Sequence, residues 1–292
     1  MKSLNVLVTG ASGQLGKSIK NAVKKNRDKY FYTDVDSLDI TDEKAVRNFV
    51  EDNNIDIIIN CAAFTNVDAA EDNRELAELL NGKAPAILAR SISKKGGTLI
   101  HISTDYVFGG SGMNTPIKET ATPYPTGIYG ETKLHGEEEI KKTGAKYIIL
   151  RTAWLYSDYG NNFIVKIFSL LENRNSIQVV FDQCGTPTYA NDLAEAIINI
   201  ISERKFSGNE GIYHFSNEGV CSWYDFALEA VRFSNMKDKE VRPCLSNEFP
   251  SKVIRPAYSV LDKTKFKETF DYKIPYWRES LENMLSKARE KH

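Results

Sequence analysis

The sequence predicts an α/β fold in which a doubly wound parallel sheet is followed by a smaller C-terminal α/β lobe. In the first half of the chain, short β-branched runs alternate with longer segments of helical spacing, and this alternation is typical of βαβ units. The runs IDIIIN and KYIILR are almost continuously apolar, so we expect helices on both faces of the sheet. After about Leu155 the alternation becomes irregular, which indicates a second lobe.

The first part of the chain contains the sheet-forming elements. The predicted strands are Asn5–Thr9, Tyr30–Asp34, Asp56–Asn60, Thr98–Ser103 and Tyr147–Arg151. The predicted helices are Leu15–Lys25, Glu43–Asn53, Arg74–Lys94 and Tyr129–Lys142. Each helix lies between two strands, as a right-handed crossover between parallel strands requires.

The second part mixes helices and strands without a regular alternation. The predicted helices are Asn161–Leu171, Asn191–Ser202, Ser222–Arg232, Asp262–Lys267 and Tyr276–Lys287, with strands at Ile177–Val180 and Gly211–Phe215 and a loop over Pro243–Pro256. Ser222 is a candidate N-cap, because serine accepts hydrogen bonds from the first helical N–H groups. No Gly/Ser linker or repeat is present, so we expect the second lobe to pack on the first.

Composition excludes several classes of function. The 292 residues carry a net charge of −1 without a basic stripe, which argues against nucleic acid as a partner. No run approaches the roughly 18 apolar residues of a membrane span, and MKSLNVLVTGASG has the pattern of a strand and turn rather than a signal peptide. The four scattered cysteines form no CxxC pair, so we expect no metal site and a reducing, cytoplasmic location.

A glycine-rich loop follows the first strand. Gly10, Gly13 and Gly16 give the spacing GxxGxxG between a strand and a helix. In this context the glycines permit a tight turn and close approach of a pyrophosphate to the helix N-terminus. Residues 1–155 are therefore predicted to form a Rossmann-type dinucleotide-binding domain, to which later segments return, and residues 156–292 mainly a substrate-binding lobe.

An acidic residue ends the second predicted strand. Asp34 follows Gly16 by eighteen residues, where a carboxylate can bind ribose hydroxyls and repel a 2′-phosphate. This favours NADH over NADPH. Asp36 and Asp39 lie close by; Asp39 could contact the adenosine, but a loop or capping role is equally compatible with its position.

A tyrosine and a lysine share one face of the fourth predicted helix. Tyr129 and Lys133 are four residues apart, and Thr104 follows a strand that leads into the ligand crevice. A phenol can donate its proton to an oxygen that receives a hydride, and a nearby ammonium lowers the phenol's pKa. The set therefore predicts a carbonyl reductase, in which Thr104 orients the carbonyl.

These motifs resemble the extended short-chain dehydrogenase/reductase family over essentially the whole chain, and most closely its dTDP-4-dehydrorhamnose reductase branch. The matching segments are TGASGQLG (Thr9–Gly16), NCAAFTNVDAAE (Asn60–Glu71), STDYVFGG (Ser103–Gly110), YGETKLHGE (Tyr129–Glu137), RTAWLY (Arg151–Tyr156), DQCGTPTYANDLA (Asp182–Ala194), YHFSNEG (Tyr213–Gly219) and RPAYSVLD (Arg255–Asp262). The glycine loop and YxxxK indicate only the superfamily, whereas STDYVF, YGxxKLxGE and RTxWLY together indicate the branch.

The resemblance implies a role for each matching residue. Catalysis falls to Thr104, Tyr129 and Lys133. NADH or NADPH is expected to contact Gly10, Gly13, Gln14, Leu15, Asp34, Asp39, Cys61, Ala62, Ala63, Thr65, Tyr129 and Lys133. The substrate is expected to contact Asn66, Val67, Thr104, Tyr106, Tyr129 and Trp154. Cys61 replaces the alanine of many relatives. Family members include metal-bridged dimers, but no metal cluster is recognisable here, so that feature is not carried over and a homodimer is left open.

Other residues allow two interpretations. Trp154 offers a flat face to a sugar ring or anchors the core, and Arg255 could pair with diphosphate oxygens or serve a structural role. His101 is predicted to be a core histidine, His135 to face away from Lys133, and Trp223 to pack small-lobe helices.

The resemblance implies NAD(P)H-dependent reduction of the C4 keto group of dTDP-4-dehydro-L-rhamnose to dTDP-L-rhamnose. Two alternatives stay open: a reductase of another nucleotide-linked 4-keto-6-deoxysugar, and a non-catalytic regulatory subunit similar to that of methionine adenosyltransferase.

Overall fold

A computed structural model describes residues 2–23, 27–249 and 251–289. Its centre is a six-stranded sheet of order β10-β5-β4-β3-β1-β2, in which every pairing is parallel. The strands are β1 (Asn5–Thr9), β2 (Lys29–Thr33), β3 (Ile57–Asn60), β4 (Thr98–Thr104), β5 (Lys146–Thr152) and β10 (Gly211–His214). The predicted fold class is confirmed.

Helices cover both faces of this sheet. The helices of the first part are α1 (Gln14–Ala22), α2 (Glu43–Asp52), α3 (Val67–Asp72), α4 (Arg74–Ala77), α5 (Ala84–Ser93) and α6 (Ile128–Lys142). On one face, α1 packs with α8 (Ala190–Ser202), and on the other α2, α5 and α6 lie side by side. The buried strands are apolar on both sides for this reason.

The first five predicted strands agree with the structure to within one residue at each end. The helices agree less well. The helix predicted over Leu15–Lys25 ends at Ala22, and residues 24–26 lie outside the described residues. The single helix predicted over Arg74–Lys94 is interrupted by a π-helical turn at Glu78–Lys83, between α4 and α5. Helix α3 was not predicted, because six residues are too few to show a clear helical period.

Three two-stranded sheets lie outside the central one. They are formed by β6 (Leu155–Tyr156) with β9 (Thr188–Tyr189), β7 (Ser176–Val180) with β12 (Glu240–Cys244), and β8 (Cys184–Gly185) with β11 (Cys221–Ser222). Strand β12 corrects the loop predicted from Pro243, because Pro243 and Cys244 pair with β7. Pro250, in the same predicted loop, lies outside the described residues.

Helices α7 (Phe163–Glu172), α9 (Trp223–Arg232) and α11 (Trp277–Arg289) pack around a separate aromatic core. Helix α10 (Thr264–Phe270) instead packs against β10, and its Phe266 and Phe270 belong to the core of the central sheet. Ser222 caps α9 as predicted: its hydroxyl accepts from the Asp225 N–H, and the Asp225 carboxylate accepts from the Ser222 N–H. Among the described residues, no helix has both the length and the apolar character needed to cross a membrane.

Candidate active site

A large cleft opens where the central strands end. Its volume is about 1100 Å³, and it extends from the glycine loop after β1 to the N-terminal turns of α6. Parallel α/β sheets bind ligands at this end of their strands. Nearly all predicted site residues line it: Gly10, Gly13, Gln14, Leu15, Asp34, Asp39, Cys61, Ala62, Ala63, Thr65, Val67, Thr104, Tyr106, Tyr129, Lys133, Trp154 and Arg255.

The glycine loop packs tightly against the segment that follows β3. Gly10 has φ +64°, and a Cβ there would lie 2.7 Å from the Ala62 nitrogen. A Cβ on Gly16 would lie 2.4 Å from the Gly10 carbonyl oxygen. Gly13 is the N-cap of α1 and provides no capping side chain, so the first N–H groups of the helix are available to an anion. The loop therefore fits the pyrophosphate of a dinucleotide.

Asp34 is held beside the glycine loop, at one end of the cleft. Its carboxylate accepts from the Ser12 N–H at 3.0 and 3.1 Å and from the Ser12 hydroxyl. Asp39 also lines the cleft, but its Oδ1 accepts from the Thr41 N–H at 2.8 Å, and the N-cap of α2 is Asp42. The side chain of Asp34 is thus fixed in orientation, while that of Asp39 is used within its own turn.

Thr104, Tyr129 and Lys133 converge at the other end. Strand β4 ends at Thr104, and Tyr129 and Lys133 lie one turn apart near the start of α6. The Thr104 hydroxyl is within hydrogen-bonding reach of the Tyr129 phenol. The Lys133 Nζ atom donates to the Ile102 carbonyl oxygen at 2.6 Å. These three groups adjoin the cleft that the glycine loop closes on the opposite side.

The pKa of Tyr129 differs from the sequence prediction. Burial raises it above its ordinary value, and the nearby Asp105 and Tyr106 add to the effect, while the bond to Thr104 opposes it. The expected lowering of this pKa by Lys133 is therefore wrong, since burial dominates. The phenol stays protonated near neutral pH, which is the form that a proton donor needs.

Burial also shifts the pKa values of Lys133 and Cys61. Burial lowers the pKa of Lys133 to about 8, although Glu137 and Cys61 act in the opposite direction. Burial raises the pKa of the Cys61 thiol to about 12. Cys61 is therefore a neutral thiol in the wall of the cleft, and Lys133 changes charge close to neutral pH.

Asp105 is a buried carboxylic acid that the sequence analysis did not select. It is 2% exposed, it lines the cleft, and Thr104 Oγ1 donates to its Oδ1 at 3.1 Å. Burial raises its pKa to about 6, against the hydrogen bonds from Ser259 and Thr104. Its position directly after Thr104 was the available signal.

Two stacked indoles form one wall of the cleft. The rings of Trp154 and Trp223 lie 3.6 Å apart between centroids, with 9° between their planes. Trp154 has φ +49°, a left-handed conformation that is uncommon for a bulky residue and often marks a functional site. Trp223 is the first residue of α9 and packs against Phe163 of α7, with 4.5 Å between the ring centroids, as predicted for a residue that packs small-lobe helices. It also lines the cleft, and this second contact was missed.

The remaining predicted substrate contacts lie near α3. Arg255 lines the cleft and forms an ion pair with Asp68 at 3.3 Å, and its guanidinium lies against Tyr106. Asn66 is not part of the cleft wall, because its Oδ1 caps α3 through the Ala69 N–H at 3.0 Å. His135 contacts Glu78 at 2.6 Å and likewise lies outside the cleft wall.

Comparison of the sequence with known proteins identifies the family of this chain. The family model described as RmlD substrate binding domain matches residues 4–290. The chain belongs to this family. A dTDP-4-dehydrorhamnose reductase of Aggregatibacter actinomycetemcomitans is 37% identical, with 97% of this chain and 99% of the relative covered. A probable dTDP-4,6-dihydroxy-2-methyloxan-3-one 4-ketoreductase of Streptomyces antibioticus is also 37% identical, with 94% of this chain and 92% of the relative covered.

A solved structure of an RmlD-family relative gives the same result. The dTDP-4-dehydrorhamnose reductase of Bacillus anthracis, crystallised in complex with NADP, has a TM-score of 0.91 to this chain and 36% sequence identity. The alignment covers 98% of this chain and all of the relative. The RmlD family resemblance thus extends over both the glycine loop and the Thr104–Tyr129–Lys133 set.

Proposed function

We propose that the chain reduces the C4 keto group of dTDP-4-dehydro-L-rhamnose with NADH or NADPH and releases dTDP-L-rhamnose. The single observation that carries this is the convergence of Thr104, Tyr129 and Lys133 at one end of a cleft whose other end is a dinucleotide-type glycine loop. Membership of the RmlD family and the relatives named dTDP-4-dehydrorhamnose reductase support the choice of substrate.

In this proposal, three side chains of the cleft have different roles at the substrate carbonyl. When bound, the reduced nicotinamide supplies the hydride that reduces the substrate. Tyr129 donates its phenolic proton to the carbonyl oxygen as negative charge develops there. Lys133 contributes positive charge at the same end of the cleft, and Thr104, which lies beside the phenol, orients the carbonyl.

The substrate-binding roles follow from where the cleft opens. The Trp154–Trp223 pair offers an apolar face to the deoxyhexulose ring, with Tyr106 opposite the catalytic phenol at 5.4 Å between centroids. Arg255 is placed to bind diphosphate oxygens once it exchanges its contact with Asp68. In this proposal, residues 156–292 serve mainly to bind substrate. A cytoplasmic location is proposed because all four cysteines are unpaired.

A reductase of another sugar nucleotide is the second candidate. The Streptomyces antibioticus relative, whose name gives a different dTDP-linked keto sugar, is as similar in sequence as the reductase quoted above. In this proposal, the way the sugar lies against Trp154 and Tyr106 decides which keto sugar is accepted and which stereochemistry the product has. The two candidates share the same catalytic residues.

One assay tests the proposal and its rivals. Purified protein is mixed with NADH or NADPH and with dTDP-4-dehydro-L-rhamnose, and oxidation of the cofactor is followed by absorbance. We expect turnover with the dTDP-linked sugar and a large loss of kcat/KM when the nucleotide is removed, because remote binding energy positions the carbonyl. Equal activity on the free sugar contradicts a nucleotide-sugar reductase. No turnover despite cofactor binding favours the regulatory subunit.

A further inference from the structure

His101 lies in the middle of β4 and contacts the lysine of the catalytic set. It is 1% exposed, and its Nε2 atom lies 3.3 Å from Lys133 Nζ. Its Nδ1 atom lies 3.0 Å from the amide nitrogen of Asn60. The sequence analysis predicted only that this residue lies in the core, whereas the structure places it in contact with Lys133.

The side-chain amide of Asn60, which faces the Nδ1 atom of His101, has a fixed orientation. Thr9, Asn60 and His101 are register partners across β1, β3 and β4. The oxygen Oδ1 of Asn60 accepts from the Thr9 hydroxyl at 2.7 Å and from the Ala62 N–H at 3.2 Å. Because the backbone N–H can only donate, it identifies Oδ1 as the acceptor and leaves the amide NH₂ facing His101.

This orientation determines the tautomer of His101. The Asn60 NH₂ group can only donate, so Nδ1 of the imidazole must accept. Burial and the charge of Lys133 lower the pKa of His101 well below its ordinary value, so the ring is neutral. A neutral imidazole with an accepting Nδ1 carries its proton on Nε2, and that N–H points at the Lys133 nitrogen.

An N–H group facing Lys133 discriminates between the two forms of the lysine. An ammonium has three donors and no acceptor, so it cannot bond to the His101 N–H. A neutral amine has a lone pair that accepts this bond. The other groups around Lys133 act differently: the Ile102 carbonyl accepts from either form, while Glu137 and Cys61 favour the ammonium.

Glu137 is itself occupied by other donors. Arg151 donates to its two oxygens at 2.9 and 2.6 Å, and the Ser103 hydroxyl donates at 2.5 Å. The negative charge of Glu137 is therefore largely balanced by these donors, which weakens its effect on Lys133. The contact between Lys133 and His101 is not balanced in this way.

We propose that His101 is a positioning residue whose Nε2–H, fixed by the Thr9–Asn60 pair, stabilises the neutral form of Lys133 relative to its ammonium. The charge that Lys133 presents to the cleft therefore depends on His101. Any consequence of that charge for catalysis rests on the proposed reductase function, whereas the tautomer and the lysine equilibrium do not.

The first test needs neither cofactor nor substrate. Ligand-free protein labelled with ¹⁵N-histidine is studied by NMR between pH 6 and pH 9. We expect the His101 resonances of an unprotonated Nδ1 and a protonated Nε2 throughout this range. A ring protonated at Nδ1, or at both nitrogens, overturns the proposal even if the protein is an active reductase.

The second test reverses the tautomer. In Asn60→Asp, a carboxylate oxygen faces Nδ1 and accepts its proton, so Nε2 becomes an acceptor for the Lys133 ammonium. The Lys133 titration, followed by ¹³C NMR of labelled lysine in the ligand-free protein, should move up by about one pH unit or more, since one unit corresponds to a tenfold change in the equilibrium. No shift contradicts the proposal.

A double variant separates the tautomer from the added charge. Asn60→Asp in the His101→Phe background adds the same carboxylate but has no tautomer to reverse, so we expect its shift to be less than half as large. Equal shifts would mean that charge alone is responsible and would overturn the proposal. His214→Phe is the matched control, because His214 is also fully buried in the central sheet but bonds to the Ile117 carbonyl; it should leave the Lys133 titration unchanged.

Discussion

The Thr104 hydroxyl donates to Oδ1 of Asp105 at 3.1 Å, and both side chains are buried. This bond uses the only proton of the hydroxyl, and the Thr104 oxygen also accepts from the Tyr106 N–H at 3.2 Å. Asp105 therefore fixes the direction of the Thr104 hydroxyl at the catalytic end of the cleft. Because Asp105 is itself buried, we expect a change at this position to alter the stability of the protein.

Replacing Asp105 by asparagine should stabilise the protein at alkaline pH. Folding raises the pKa of Asp105 from 3.8 to about 6, so wild-type stability falls as pH rises through this window and then stays lower. Asp105→Asn does not titrate, and its free energy of unfolding should exceed that of the wild type at pH 8 by on the order of 1–3 kcal/mol.

Urea denaturation at pH 4 and pH 8 measures this difference. The advantage of Asp105→Asn should be much smaller at pH 4, where the wild-type carboxyl is protonated in the folded state and roughly half protonated in the unfolded state. Asp238→Asn is the control at an exposed position and should show little change at either pH. A variant equally stabilised or destabilised at both pH values would contradict burial as the cause.

Tyr129→Phe should abolish turnover while leaving the fold intact. The change removes only the phenolic oxygen, and loss of a general acid costs roughly 100- to 10,000-fold in rate. Turnover is measured by oxidation of NAD(P)H, and cofactor binding by titration. Tyr124→Phe, at a tyrosine that is 63% exposed, should keep the wild-type rate. A Tyr129→Phe variant with near wild-type kcat would show that another group is the acid.

Asp34→Ala should weaken the binding of NADH more than the binding of NADPH. The substitution removes a ribose acceptor and a negative charge that disfavours a 2′-phosphate. Ser12→Ala is the informative companion, because it removes one hydroxyl donor to Asp34 and keeps the carboxylate, so its effect should be smaller. Dissociation constants for both cofactors measure the outcome, and an unchanged NADH/NADPH ratio in Asp34→Ala would mean that the carboxylate does not face the ribose.

Trp154→Ala should lose both substrate affinity and rate, by ~1–3 kcal/mol in kcat/KM if the indole is the apolar platform for the sugar. Trp154→Phe keeps a flat ring against Trp223 and should recover part of the loss. Steady-state kinetics with the dTDP-linked sugar measure both variants. Wild-type kcat/KM in Trp154→Ala would assign the indole to the core instead.

The strands of the central sheet were the elements that the sequence predicted best. Strands such as Ile57–Asn60 and Lys146–Thr152 are apolar on both faces, and this pattern can be recognised in the sequence without knowing which elements pack against them. The glycine loop was equally readable, because Gly10 and Gly16 satisfy steric demands within one strand–turn–helix unit.

What was missed depends on residues far apart in the chain. The stacking of Trp223 on Trp154 follows from how α9 packs beside the end of β5, and no local pattern encodes it. The same holds for His101, whose contact with Lys133 requires β4 and α6 to be placed together. The π-helical turn at Glu78–Lys83 depends on one extra residue per turn, which leaves the apolar spacing almost unchanged.

The stacked indoles also give the protein a built-in optical signal. Of its three tryptophans, Trp154 and Trp223 line the cleft, whereas Trp277 is 4% exposed and packs in the aromatic core of the second lobe. Emission from the cleft pair responds to whatever covers or separates the two rings, and Trp277 contributes a nearly constant background. Quenching of intrinsic fluorescence can therefore follow the filling of the cleft without any label, including by sugar nucleotides that are not turned over.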